Sequence, residues 1–274
     1  VSPLSKFFRY KAFERIFGET EDDQETLDRV EEKIKYATQS DFDRQTPITQ
    51  DFWSTDSPEE FEKNKEKRPE ELEKYGWLER GISYDLNEYG YREDSFHYSP
   101  ASYIAIGECF TAGTGLPETM IWPSMLELEG LGKVWNLALP EAALDVTFRT
   151  LYSWLPVIQP KAVLLLENSQ LGREVFVNEV SDKVGAWSPE EWKRDIVKDK
   201  VERFISRQKN MMAISELCQE NKTELKIISA TERHQIGMKA WQENENEMFA
   251  ASRDLMHPGL HFQQAIAQRW LEEL

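Results

Sequence analysis

Tyr103-Ile104-Ala105-Ile106-Gly107-Glu108-Cys109-Phe110-Thr111-Ala112-Gly113-Thr114-Gly115 runs from a short apolar segment straight into a glycine-rich turn. The apolar residues ending at Gly107 read as a buried strand, and the Thr/Gly turn leads to a helix predicted over about Pro117–Leu128. Outward from this stretch the pattern alternates. Lys133–Leu137 is the next predicted strand and Glu141–Pro156 the next helix. Ala162–Glu167 (AVLLLE) is the most apolar strand of the chain, which suits the centre of a parallel sheet covered on both faces. A long helical region over Pro189–Glu220, a strand at Glu224–Ala230 and a closing amphipathic helix at Leu260–Leu274 complete the series. Strand–helix alternation of this type predicts an α/β protein, a three-layer α/β/α sandwich with right-handed crossovers around a parallel sheet. Chemistry in such sheets lies beyond the carboxyl ends of the strands, here the turns after Gly107, Leu137, Leu166 and Ala230.

The first 80 residues have a different texture and are predicted to form a mainly helical, acidic N-terminal extension, with the α/β/α domain spanning 81–274. Phe7, Tyr10, Phe13 and Phe17 recur at helical spacing over Ser5–Phe17, between Lys6, Arg9, Lys11 and Arg15. A basic amphipathic helix can dock on a membrane surface or a protein partner; the reading preferred here is an arm whose aromatic side rests on its own domain. An acidic helical stretch over Glu19–Tyr36, a polar connection over Ser40–Thr49 and a Glu/Lys-rich segment over Pro58–Tyr75 follow. Charge runs of this kind are solvated helix faces, and no chemistry is assigned to them.

Composition narrows the partners. In 274 residues, 33 basic against 50 acidic side chains give a formal net charge of −17. That surface repels phosphate backbones, so nucleic acid is not expected as a partner, whereas neutral or cationic small molecules are admitted more easily. The two cysteines, Cys109 and Cys218, have no metal-type spacing and fit a reducing compartment. His234 and His261 have no paired ligand spacing, and no metal or cofactor is expected. No run of eighteen apolar residues occurs, so no integral membrane segment is expected, and with no leader-like apolar stretch the expected location is cytoplasmic.

Two motifs carry chemistry. A Cys at position 109, after a strand and before a helix, is projected from a tight turn among backbone N–H groups able to stabilise negative charge. A glycine-rich turn could equally cradle a phosphate, but this one lacks the P-loop Lys and the dinucleotide spacing of glycines. Near the C-terminus, Arg253-Asp254-Leu255-Met256-His257-Pro258-Gly259 places an Asp three residues before a His, able to hold the imidazole in one tautomer while the ring faces a nucleophile. Taken alone, Asp-x-x-His is a weak pattern, and a single His is more often structural. Cys218, with Met211, Ile214 and Leu217 at helical spacing, reads as core.

Together these blocks resemble the SGNH (GDSL-type) hydrolase family from about Ser83 to Leu274. Gly107-Glu108-Cys109 stands where that family has Gly-Asp-Ser, and Asp254-Leu-Met-His257 where it has Asp-x-x-His. Asn136-Leu-Ala138-Leu-Pro140-Glu141 resembles its Asn-x-Gly-x-x-Gly block, and Leu166-Glu167-Asn168-Ser169 its Gly-x-Asn-Asp block. Asn87-Glu-Tyr-Gly90-Tyr91-Arg92 matches a common lead-in. The resemblance implies a flavodoxin-like SGNH fold and an acyl-ester hydrolase or acyltransferase. Cys109 would be the nucleophile, His257 the base and Asp254 its orienter. Asn168 would bind the oxyanion with the backbone N–H of Cys109 and a third donor near Ala138–Glu141. The substrate it implies is a small acyl ester or acylated molecule.

The departures from the family pattern concern the same site. Cys109 replaces Ser, Glu108 replaces Asp, Glu141 and Leu166 replace glycines, and Ser169 replaces Asp. A thiol suits acyl attack beside a His. Two acidic side chains facing it unpaired would oppose the thiolate and repel a developing oxyanion. The alternative is an inactive pseudo-hydrolase kept as a structural or binding module, such as a virus-particle component, with the extension as its assembly device. A phosphate- or nucleotide-binding flavodoxin-like protein is the third reading. The hydrolase reading expects Cys109, Asn168 and His257 to converge beyond the strand ends.

Overall fold

The computed structural model describes residues 47–169, 171–177 and 180–274; the predicted helices at Ser5–Phe17 and Glu19–Tyr36 lie outside them. In chain order the first elements are β1 (Ile48–Gln50), α1 (Pro58–Lys67), α2 (Pro69–Lys74) and β2 (Tyr84–Leu86). Next come β3 (Tyr103–Ile106), α3 (Cys109–Ala112), α4 (Trp122–Leu128), β4 (Val134–Asn136), α5 (Leu144–Ile158) and β5 (Ala162–Leu166). The rest comprises β6 (Gly172–Val177), β7 (Val180–Gly185), α6 (Glu191–Ile196), α7 (Lys200–Glu220), β8 (Glu224–Ile228), α8 (Ala230–Asn244) and α9 (Leu260–Glu273).

A four-stranded sheet in the order β4-β3-β5-β8, parallel throughout, forms the centre. Every residue of β3 and β5 is buried, as strands covered on both faces require. Their side chains alternate between two cores. Ile104, Ile106, Val163 and Leu165 pack towards α5 and α7, where Leu151, Leu155, Ile214, Leu217 and Cys218 meet them. Tyr103, Ala105, Leu164 and Leu166 face α4 and α9, meeting Trp122, Leu126, Ile266 and Trp270. This is the predicted α/β/α sandwich. The chain leaves β3 for β4 on one side and returns to β5 on the other, so the loops after β3, β4 and β5 open at one crevice.

A third core lies beside the sheet. Leu72, Tyr75, Trp77, Ile82, Tyr84 and Leu86 are buried against Leu116, Ile121, Ala250 and Ala251. The charged segment Pro58–Tyr75 is helical, as α1 and α2, but it is more than a solvated face. Leu72 and Trp77 are fully buried, and the Trp77 indole N–H donates to the Ala251 carbonyl at 2.8 Å.

Several elements went unforeseen, among them the short antiparallel pair β1–β2. Between β5 and α6 lies an antiparallel hairpin, β6–β7. The region after Ala230 is a helix, α8, of which only Ala240 is fully buried, so it has no apolar stripe to give it a 3.6-residue signature. The long helical region predicted at Pro189–Glu220 is divided, with α6 ending before Asp199 caps α7 by accepting from the N–H groups of Val201 and Glu202.

Candidate active site

The turn after β3 is fixed by close approach. A β-carbon on Gly107 would lie 2.7 Å from the Leu166 carbonyl oxygen, so only glycine lets this turn meet the end of β5. Cys109 is the first residue of α3, and its N–H has no acceptor within the helix. After one turn α3 closes on Gly113 at φ 76°, whose N–H donates to the Cys109 carbonyl at 2.9 Å. The lead-in block secures this cap. Asn87 Oδ1 accepts from the N–H groups of Tyr89 and Tyr91, and the buried Arg92 donates through Nη1 to the Gly113 carbonyl at 3.0 Å.

The loop after β4 supplies a donor to the sulfur. Asn136 Nδ2 donates to the Thr111 carbonyl at 3.1 Å, tying this loop to α3. The Ala138 N–H is taken by Asn136 Oδ1 at 3.2 Å, whereas the Glu141 N–H donates to Cys109 Sγ at 3.2 Å. Of the two backbone donors expected from this loop, Glu141 is the one aimed at the nucleophile position. Glu141 has φ 60°, the left-handed conformation that glycine adopts freely. Asn168, fully buried after β5, spends one amide hydrogen on the Ala142 carbonyl at 2.6 Å, and its Oδ1 accepts from Thr147 at 3.4 Å.

The Asp254–His257 pair reaches the same place from the loop before α9. His257 Nδ1 donates to Asp254 Oδ2 at 2.7 Å, and the Cys109 side chain is near enough to help raise the imidazole pKa. Cys109, Asp254 and His257 are therefore neighbours, and Asn168 and Glu141 lie on the adjoining loops. Asp254 Oδ1 accepts from Ser252 Oγ at 2.6 Å and from the N–H groups of Met256 and His257 at 3.0 and 3.2 Å. Burial works against both charges, but the mutual hydrogen bonds outweigh it. The Asp254 carboxyl is held down at about 2, and His257 is pushed up to about 10.

These shifts set a pH window. Asp254 is depressed from 3.8, so its contribution to stability is complete above that value and is lost as pH falls towards 2. His257 is raised from 6.5, so its contribution is complete below 6.5 and is lost as pH rises towards 10. The melting-temperature difference between the natural protein and His257→Gln is expected to peak between pH 4 and 6.5 and to shrink by pH 10. A difference independent of pH would remove the pair's electrostatic role.

Several functional contacts come from segments that carry no motif. Thr55 Oγ1 donates to Asp254 Oδ2 at 2.8 Å, the same oxygen that His257 uses, and Asn64 Nδ2 donates to the Asp254 carbonyl at 3.1 Å. Asp56 forms a buried, two-pronged pair with Arg253 at 2.9 and 2.7 Å. It also accepts from the Tyr84 hydroxyl at 2.5 Å, which in turn accepts from the Gly115 N–H at 2.8 Å. The region before β2 thus joins the turn after β3 to the loop that carries Asp254 and His257.

Glu108 does not face the sulfur unpaired. Its carboxylate accepts from the N–H and hydroxyl of Ser169, both at 2.9 Å, and is ion-paired with Arg233 on α8. Ser169, in the position where the resemblance places Asp, is the partner of the residue that replaced the family's other Asp. Cys218 is remote from this chemistry, packed in the core with its thiol pushed up to about 12 by burial. Among the described residues no group of His, Cys, Asp and Glu is arranged to hold a metal, and no helix is long and apolar enough to cross a membrane.

No protein-family model matches the chain, and no curated protein matches it. Among solved structures it is similar to TesA, at 13% identity and a TM-score of 0.40 over 62% of this chain and 96% of that one. It is likewise similar to the psychrotrophic esterase EstA from Pseudoalteromonas sp., a structure inhibited by monoethylphosphonate, at 14% identity and a TM-score of 0.39 over 63% and 95%. At this identity and overlap no residue role passes from those proteins to this chain, and the chemistry rests on the geometry given above.

Proposed function

We propose that this protein is an acyl-ester hydrolase or acyltransferase that works through a cysteine nucleophile. The observation that carries the reading is the position of Cys109, whose sulfur meets the Glu141 N–H on one side and a His257 held by Asp254 on the other. In the forward step Sγ, with its proton held on His257, attacks the acyl carbon of a neutral ester. The oxyanion is received by the N–H groups of Cys109 and Glu141 and by the second amide hydrogen of Asn168. Collapse breaks the ester C–O bond, His257 protonates the departing alkoxide, and a thioester remains on Cys109. Water, deprotonated by His257, then releases the acid and restores the thiol.

The electrostatics favour the first half of this cycle. Cys109 is one of the groups that keep His257 charged. Once the sulfur is acylated that support ends, and His257 becomes a better base for the water. The pairing of Glu108 with Arg233 and Ser169 removes one of the two charges that would oppose a thiolate. Brief mixing with p-nitrophenyl acetate followed by acid quench and peptide mass mapping tests the reading. The acetyl group is expected on the peptide bearing Cys109 and not on that bearing Cys218. An unmodified Cys109, with no p-nitrophenol above the Cys109→Ala background, would end the proposal.

A further inference from the structure

A groove of about 390 Å³ opens beside His257, walled by Phe110, Met238, Trp241, Met256 and Phe262. Met238, Trp241 and Met256 are 46%, 39% and 54% exposed, so three large apolar side chains lie uncovered around one depression next to the base. The volume falls in the range of small-molecule sites. Gly237 forms part of the lining, and a β-carbon there would meet the Phe262 ring at 3.2 Å, so glycine keeps this part of the groove open. The two arginines at its margin are taken. Arg68 is paired with Glu71 through two hydrogen bonds at 2.7 and 2.6 Å, and Arg233 is paired with Glu108. Both guanidinium groups are thus already engaged by carboxylates, His257 is held by Asp254, and the net charge of −17 disfavours anions further.

Building on the proposed hydrolase reading, we infer that this groove binds the alcohol half of the substrate, and that the alcohol is a neutral apolar one, an alkyl or aryl group. The direction follows from where each donor sits. Glu141 and Asn168, which receive the oxyanion, belong to the loops after β4 and β5, and neither lines the groove. His257, which lines it, must hand its proton to the alkoxide oxygen when the C–O bond breaks. The leaving group therefore lies on the His257 side, over Phe110 and against α8, while the acyl carbon faces the other two loops. Phe110 fixes this arrangement by packing edge-on to His257 at 5.7 Å between ring centres.

The test is a pair of substrate series on the full-length protein. With acetate as the constant acyl group, kcat/KM is expected to rise tenfold or more from ethyl to octyl acetate. Trp241→Ala and Met238→Ser are each expected to cut that octyl-to-ethyl ratio severalfold. The ratio of p-nitrophenyl octanoate to p-nitrophenyl acetate should move much less in the same variants. Variants that collapse the acyl series and spare the alcohol series, or that move neither, overturn the inference. If no ester is turned over, the Cys109 reading fails by itself, and the groove is judged by calorimetry with 1-octanol. Saturable binding that weakens in Trp241→Ala keeps the apolar site; no binding, or binding indifferent to the variant, rejects it.

Discussion

Mixing the protein with p-nitrophenyl acetate is expected to give a burst of p-nitrophenol close to the protein concentration, followed by slow turnover, and Cys109→Ala is expected to abolish both phases. The burst follows from the ease with which a thiolate attacks an activated ester. The slow phase follows from the site itself, because release of the acyl group needs His257 as a neutral base, and Asp254 holds its proton firmly. Asn168→Ala should slow the burst roughly a hundredfold or more, the usual cost of one oxyanion donor. Cys109→Ser separates nucleophile from surroundings. Serine in a competent site should lose the burst and gain steady hydrolysis. If neither the natural protein nor the serine variant releases product above the Cys109→Ala background on a panel of acyl esters, ester hydrolysis is excluded. The domain would then be a scaffold kept for binding.

The parts of this molecule legible in its sequence are those with a period or a turn chemistry. The short apolar segment Tyr103–Ile106 and the unbroken apolar run of Ala162–Leu166 gave the buried strands. The helix α8 was hidden because it buries too little to show a face; its one local signal is Ser229-x-x-Glu232, where the Ser229 hydroxyl accepts from the Glu232 N–H at 3.2 Å. In the site, Glu141 looked like the loss of an oxyanion glycine, yet its backbone keeps a glycine-like φ of 60° and presents its N–H to the sulfur. Glu108 looked like an unpaired charge because its partner, Arg233, is 125 residues away and belongs to no motif. Thr55 and Asp56 were invisible for the same reason. Hydrogen bonds across about two hundred positions of sequence leave no spacing to read.

That last group bears on the second large effect. Asp254→Asn is expected to lower the acylation rate on the order of 10⁴-fold, because an amide in place of the carboxylate favours the wrong imidazole tautomer and no longer stabilises the imidazolium. The variant should still fold, since the hydrogen bonds at Oδ1 and the buried Arg253–Asp56 pair beside it remain available. Thr55 acts through the same carboxylate as a positioning residue. Its hydroxyl shares Oδ2 with His257, so it draws negative charge away from the oxygen that holds the imidazole. Removing it in Thr55→Val should leave Oδ2 to His257 alone and raise the imidazole pKa further. The slow phase, which needs His257 as a neutral base, should fall by roughly three- to tenfold, within the range expected for losing an ordinary hydrogen bond. The limb of its pH profile governed by His257 should also move to higher pH, and Thr55→Ser should restore both. A purely structural role would lower the melting temperature and the amount of active protein without moving that limb. An unmoved profile, with the rate per active site unchanged, would therefore confine Thr55 to holding the fold.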